Sequence, residues 1–150
     1  MKKCLSLILA VIILLTLCSC GNKRLSNLSG DYIDQVSERA TMTLERRDDK
    51  DDPNMYDIKI NWPVSSFEGV YWTMSGEFDG YKIAYKDGEC HIYTYDESGN
   101  LTKDEIDGTD LEGNLTLEID NRIEWSGSTT DESALFIMIP EEDNEKEKKH

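Results

Sequence analysis

The chain predicts an all-β domain built as an antiparallel meander of eight to ten short strands. Three observations carry that expectation. Between residues 40 and 139, apolar and polar side chains alternate with period two over most runs, as strands with one buried face require. The runs are short and separated by turn-forming pairs such as Asp79-Gly80, Asp87-Gly88 and Asp120-Asn121. No stretch carries the 3.6-residue periodicity of a long amphipathic helix. Strands joined by tight turns pair in sequence order. Such a sheet must bury one face and manage its edges. A barrel does both and a two-layer sandwich only the first, so a small barrel is favoured over the sandwich.

Leu28-Ser29-Gly30-Asp31-Tyr32-Ile33 opens the folded region. Residues 31–39 are open between a strand and a short helix, because Tyr32, Ile33 and Val36 would also share one helical face. Ala40, Met42 and Leu44 alternate with Thr41, Thr43 and Glu45, and a charged loop with Pro53 follows over residues 46–54. Tyr56, Ile58, Ile60 and Trp62 alternate with Asp57, Lys59 and Asn61, which is the clearest strand, and Pro63 closes it. Val70, Trp72, Met74, Gly76 and Phe78 define the next, with Gly76 marking a bend or bulge. Tyr81, Ile83 and Tyr85 follow, and Asp87-Gly88 predicts a two-residue hairpin into Cys90, Ile92 and Thr94. After a turn at residues 96–100, residues 101–106 form a polar strand at an edge or rim, and residues 107–114 an acidic turn. Leu115, Leu117 and Ile119 make a strand, and Ile123 and Trp125 share a face of the next. The apolar run of residues 134–139 suits a central strand, and Pro140 stops it.

Two resemblances add to this reading. Gly30-Asp31-Tyr32 stands where small calycin-like barrels carry a Gly-x-Trp near the first strand, with Tyr32 in place of the Trp. Arg39-Ala40-Thr41-Met42-Thr43, Trp62, Trp72 and Tyr95-Asp96-Glu97-Ser98-Gly99-Asn100 are similar to small all-β domains of uncharacterised secreted proteins of Gram-positive bacteria, a likeness that implies no activity.

The first residues read as an address. Lys2 and Lys3 precede an apolar run over residues 5–17, which is shorter than the about 20 residues a membrane-spanning helix needs. A basic head, an apolar run and small residues read as a secretory signal. Leu17-Cys18-Ser19-Cys20-Gly21 resembles a bacterial lipobox. That resemblance implies a lipoprotein: cleavage before Cys20, a diacylglycerol thioether on it, and a further palmitate-type acyl chain on its amine. The expected organisation is therefore a signal peptide over residues 1–19, a lipidated tether over 20–27, a β-barrel-like domain over 28–140 and a disordered charged tail over 141–150. The expected location is the extracytoplasmic face of the cell membrane.

The net charge of −15 becomes about −17 once Lys2 and Lys3 are removed with the leader. Such a surface repels nucleic acid and anionic headgroups and suits basic partners or plain solubility. With Cys4 and Cys18 in the leader and Cys20 lipidated, Cys90 is the cysteine left for the domain, so no internal disulfide is expected.

Chemistry is sparse. Cys90 and His91 are adjacent, so on a strand they face opposite sides and do not chelate together. His91 is expected at the surface or rim; as the base of a triad it would lack a Gly-x-Ser-x-Gly elbow. Two acidic loops, with Asp48, Asp49, Asp51 and Asp52 in one and Asp107, Asp110, Glu112 and Asn114 in the other, offer oxygens for calcium, but neither has the EF-hand spacing, and solvated acidic turns are the favoured reading over calcium sites. No cofactor or metal is expected. Trp62, Trp72 and Trp125 are the candidate ligand-lining residues if the barrel has space inside, and core fillers if it does not. Tyr71, Tyr93 and Tyr95 fall on the other faces, where tyrosines form a recognition patch if they cluster. The expectation is a non-catalytic, lipid-anchored module binding a small molecule or a glycan. The alternative is a protein-interaction lipoprotein with a basic partner, like lysozyme-inhibitor lipoproteins by analogy alone.

Overall fold

The computed structural model describes residues 27–48, 51–127 and 133–140. The leader, Cys20, Asp49, the charged tail and all of the tether but Asn27 lie outside the described residues. Eight strands follow one another: β1 (Gly30–Asp34), β2 (Thr41–Arg46), β3 (Met55–Pro63), β4 (Glu68–Phe78), β5 (Lys82–Tyr95), β6 (Leu101–Leu117), β7 (Ile123–Gly127) and β8 (Ser133–Met138). Each pairs antiparallel with its sequence neighbours, and β1 pairs with β8, so the meander closes into a barrel. This is the all-β barrel that the alternation predicts, consistent with a small calycin-like barrel.

The register explains what fills it. Tyr56, Ile58, Ile60 and Trp62 of β3 lie opposite Gly76, Met74, Trp72 and Val70 of β4. Period-two patterning therefore sends one continuous apolar face inward. Tyr32, Met42, Ile60 and Phe136 are fully buried there. Burying such side chains stabilises the fold by about 1.5–3 kcal/mol each. Aromatic contacts knit the interior: Trp72 and Trp125 are 5.0 Å apart at 58°, and Tyr56 meets Phe78 edge-on at 6.3 Å. The buried polar groups find partners. Trp125 Nε1 donates to the Tyr85 hydroxyl at 2.9 Å. The Tyr32 hydroxyl donates to the Leu28 carbonyl at 2.7 Å, and the Leu28 N–H donates to the Tyr56 hydroxyl at 3.2 Å. Leu28 is thus a buried plug, held by two phenols where the chain enters the barrel.

Three local expectations are corrected. Residues 31–39 hold no helix. Their first part is β1, and the reversal after it is fixed by the buried Asp34, whose Oδ2 accepts the Ser37 N–H at 2.6 Å. Asp87-Gly88 does not form a hairpin but lies inside β5. The irregularity is absorbed as register shifts between Tyr85 and His91, with the Gly88 backbone lying close to the Leu111 carbonyl. Residues 107–114 are not a turn but the middle of β6, where Asp110 takes a positive φ of 55° within the strand. The result is two long strands of 14 and 17 residues in place of four short ones. β6 joins β7 only from Gly113 to Leu117. Its earlier part pairs with β5 alone among the described residues, so β4, β5 and β6 extend beyond the closed part of the barrel.

Replacing Phe136 by Ala should cost about 3–5 kcal/mol, the usual range for an emptied aromatic core site, whereas Leu101→Ala at the exposed tip should stay within about 0.5 kcal/mol. A Cβ at Gly113 would overlap the Tyr85 hydroxyl and the Ser126 carbonyl oxygen, so Gly113→Ala should also destabilise. Urea unfolding of the three variants measures this; a Gly113→Ala midpoint equal to that of the unchanged protein would refute the packing described.

Candidate functional site

The upper halves of β2 to β6 carry a second pattern on the face turned away from the core. Because β3 and β4 pair in register, Asn61 stands opposite Tyr71 and Lys59 opposite Thr73. Across the next ladder Tyr71 meets His91 and Gly69 meets Tyr93. Beyond that, Tyr93 meets Asp104 and Tyr95 meets Leu101. Register shifts interrupt β4 between Thr73 and Gly76 and the β5–β6 ladder at four places, and bulges bend and re-aim strands. The outward face there cups a cleft of about 660 Å³, walled by Thr41 and Thr43 at one side and by Tyr95, Leu101 and Asp104 at the other.

Its floor is a polar and aromatic network. The Tyr71 hydroxyl lies 3.0 Å from His91 Nδ1 and donates to the Asp104 carboxylate, 3.0 Å from either oxygen. His91 Nδ1 is also 3.1 Å from Asp104 Oδ1, and its Nε2 is 3.4 Å from Glu89 Oε2. The His91 ring stacks on Tyr71 with centroids 4.5 Å apart and 14° between planes, and Lys59 Nζ lies 5.0 Å from the centroid of the Tyr71 ring. The network ties β3, β4, β5 and β6 together through side chains on the outer surface.

Two further tyrosines continue the strip. Tyr93 is 6.1 Å from Tyr71, and Tyr95 meets Tyr93 near edge-on at 5.4 Å. Tyr93 lies across the backbone of Gly69, where any Cβ would overlap its hydroxyl. Glycine at that position lets the ring lie over β4 and bond the Asn61 side chain. Tyr95 is held from two sides. Its N–H donates to the Phe67 carbonyl at 2.6 Å. The Asp96 carboxylate accepts the Ser98 N–H at 2.9 Å and the Asn100 N–H at 2.8 Å, and Gly99 turns at φ 80°. These bonds, the Asn100 side chain first, hold the Asp96 carboxyl below the usual carboxylate range. The hairpin tip that presents Tyr95 and Leu101 is therefore built, not slack.

Burial and then the Asp104 bond raise the Tyr71 phenol above its ordinary value. That direction matters chemically. A nucleophile or base at pH 7 needs a lowered phenol pKa, and a carboxylate accepting the proton does the reverse. The cluster orients rings and holds a surface together.

Of the residues anticipated from sequence, Tyr71, Tyr93 and Tyr95 line the cleft, and the others fall elsewhere. Trp125 is 2% exposed and belongs to the core, and Trp62 and Trp72 pack partly buried against it. Cys90 lies opposite Trp72 on the inner side of β5, and His91 points outward. Asp107, Asp110 and Glu112 are exposed along β6. Among the described residues no group of three or more His, Cys, Asp or Glu side chains is placed to hold a metal ion. Lys59, Asn61 and Asp104 went unremarked in the sequence, although Lys59 and Asn61 alternate with the core residues of the clearest strand. No family model, curated protein or solved structure matches this chain, so function rests on the geometry of the cleft.

The shared proton gives a direct check. A tyrosine whose folded pKa is raised contributes stability that is fully present below the ordinary value of 10.0 and is lost as pH rises from there through the folded value. The phenolate absorbance of the protein minus that of Tyr71→Phe should place Tyr71 ionisation above 10.0. Asp104→Asn should move it back toward that value without reaching it, because burial remains. Ionisation of Tyr71 at or below the ordinary value would remove the network.

Proposed function

We propose that this chain is a lipid-anchored, extracytoplasmic binding module of the cell envelope, and that its ligand sits in the outer-face cleft of Tyr71, Tyr93, Tyr95 and Asp104. The observation that carries the reading is the clustering of those tyrosines. Three phenols on two strands share one surface within about 6 Å of their neighbours, beside a cleft with hydroxyl, amide and carboxylate groups at its walls. These rings lie on the outer face and not in the barrel core, and rigid amphipathic rings give contact area at low entropic cost.

Placement supports the same reading. The chain enters the barrel at Leu28, beside the start of β1 and β3. The Tyr95–Leu101 tip lies at the opposite end, where β5 ends and β6 begins. A lipid on Cys20, with seven residues that reach at most about 25 Å, would hold the Leu28 end near the bilayer and leave the cleft facing away from it. The raised Tyr71 phenol supports binding over catalysis by that oxygen, since a phenol that acts as nucleophile or base needs a lowered pKa.

A second reading, capture of a basic partner, is favoured by one feature. The run from Asp104 to Glu112 carries Glu105, Asp107 and Asp110 on a strand with one neighbour among the described residues. Its acidic side chains also discourage edge-to-edge pairing, which is an ordinary use of charge on such an edge, so the cleft remains the stronger candidate.

Two measurements test the reading. Intact-mass analysis of the protein from its native membrane should show a chain beginning at Cys20 with a diacylglycerol mass, lost in Cys20→Ala. Hydrogen exchange of the full chain with isolated envelope polymer should slow amides of β4, β5 and β6 around Tyr71, Tyr93 and Asp104. Slowing elsewhere with this region unchanged would sink the assignment of the site.

A further inference from the structure

We infer that the cleft takes an uncharged saccharide chain, an assignment that rests on the cleft being the binding site. The argument starts from charge. The protein carries a net charge of −15, yet the charged side chains that line the cleft are one cation and one anion, Lys59 and Asp104. The cleft is a charge-balanced window in an acidic surface. A polyanion is repelled by the whole protein. A basic ligand gains more at the carboxylates of β6 than at Asp104, whose oxygens already accept the Tyr71 and His91 bonds. A neutral ligand avoids both penalties.

The polar groups fit the same class. Thr41, Thr43 and Asn61 line the cleft with hydroxyl and amide groups; Thr43 donates to Asp31 at 2.8 Å and Asn61 bonds Tyr93, and the donor and acceptor sites left over can pair with a ligand. Sugar hydroxyls donate and accept, so each can be paired in more than one orientation. An apolar small molecule would leave those remaining sites desolvated and unpaired. The single aliphatic side chain in the lining is Leu101.

Ring geometry then says where a sugar would lie. Tyr71 is occupied, with the His91 ring stacked on it and Lys59 Nζ over it. Tyr93 and Tyr95 carry the free aromatic surface, and Tyr95 is 40% exposed at the tip. A pyranose presents a flat array of C–H groups that rests on an aromatic face while its equatorial hydroxyls point sideways. On this surface one ring would lie against Tyr95 near Asp104, and further rings of the chain would extend toward Thr41 and Thr43 at the opposite wall. The openness matters too. Small-molecule sites bury 70% or more of a ligand, as a rough rule, whereas a cleft bounded by exposed residues on an outer face suits a segment of a longer chain that continues past both ends.

The test uses the full chain in a detergent without a sugar or choline headgroup, so that the detergent is not itself a ligand. Tyrosine ring signals are followed by NMR during titration with neutral tetrasaccharides, the β-1,4 tetramers of glucose and of N-acetylglucosamine, and separately with tetralysine. The expected result is saturable movement of the Tyr93 and Tyr95 signals by at least one tetrasaccharide and none by tetralysine. Tyr95→Ala should weaken that binding about tenfold, the scale of one lost aromatic contact. Because Tyr95 is exposed, this variant keeps the fold where a Tyr93 change would disturb the packing on Gly69. Movement with tetralysine alone would overturn the saccharide class and leave the cleft as the binding site. Saccharide binding that ignores Tyr95→Ala and leaves the cleft rings unmoved would overturn the site itself. Silence of the cleft rings toward both tetrasaccharides would overturn the saccharide assignment.

Discussion

Three residue pairs close the barrel: Tyr32 with Met138, Ile33 with Ile137 and Asp34 with Phe136. That short ladder between the first and last strands makes every inward side chain an interior one. Without it Tyr32 and Phe136 would sit at two sheet edges instead of in a sealed core, and the β1 and β8 backbones would be left as open templates for other strands. An eight-stranded barrel is just wide enough for side chains to fill or for one small ligand. Trp125 against Trp72, its indole N–H on Tyr85, and Leu28 under two phenols take up that room.

The candidate cleft lies on the outside of the barrel. The closed ladder is short on β1, β7 and β8, and the surplus length of β4, β5 and β6 has nothing to close against. It forms instead a bent extension whose outer face is tied together by the Tyr71, His91 and Asp104 network. Glycine does as much here as any aromatic. Gly69 lets Tyr93 lie flat, and Gly88 lets β5 run close to β6 where a side chain would hold them apart. The cleft is thus a by-product of strands that outrun the barrel they belong to.

Much of this was legible in the chain. The inward face of β3, Tyr56-x-Ile58-x-Ile60-x-Trp62, can be read off directly, because side-chain direction on a strand depends only on parity. The same parity placed Tyr71, Tyr93 and Tyr95 off the apolar face. Their meeting with Asp104 was not legible. Asp104 is 33 residues from Tyr71, and which β6 residue faces which β5 residue depends on four register shifts. Asp87-Gly88 looked like a reversal because that pair is a favourable turn in isolation. In the folded chain, the pairing available on both sides of β5 outweighs the local preference.

The sequence by itself determined the class of fold, the strand faces, the composition of the core and the acidity of the surface, because each follows from local periodicity or from simple counting. Tertiary structure alone decided the closure of β1 on β8, the fusion of four expected strands into β5 and β6, and the gathering of Tyr71, His91, Asp104 and Lys59 at one cleft. Those depend on register and bulges, which are set by competition among whole ladders for the same backbone hydrogen bonds, and no short stretch of sequence records the outcome of that competition.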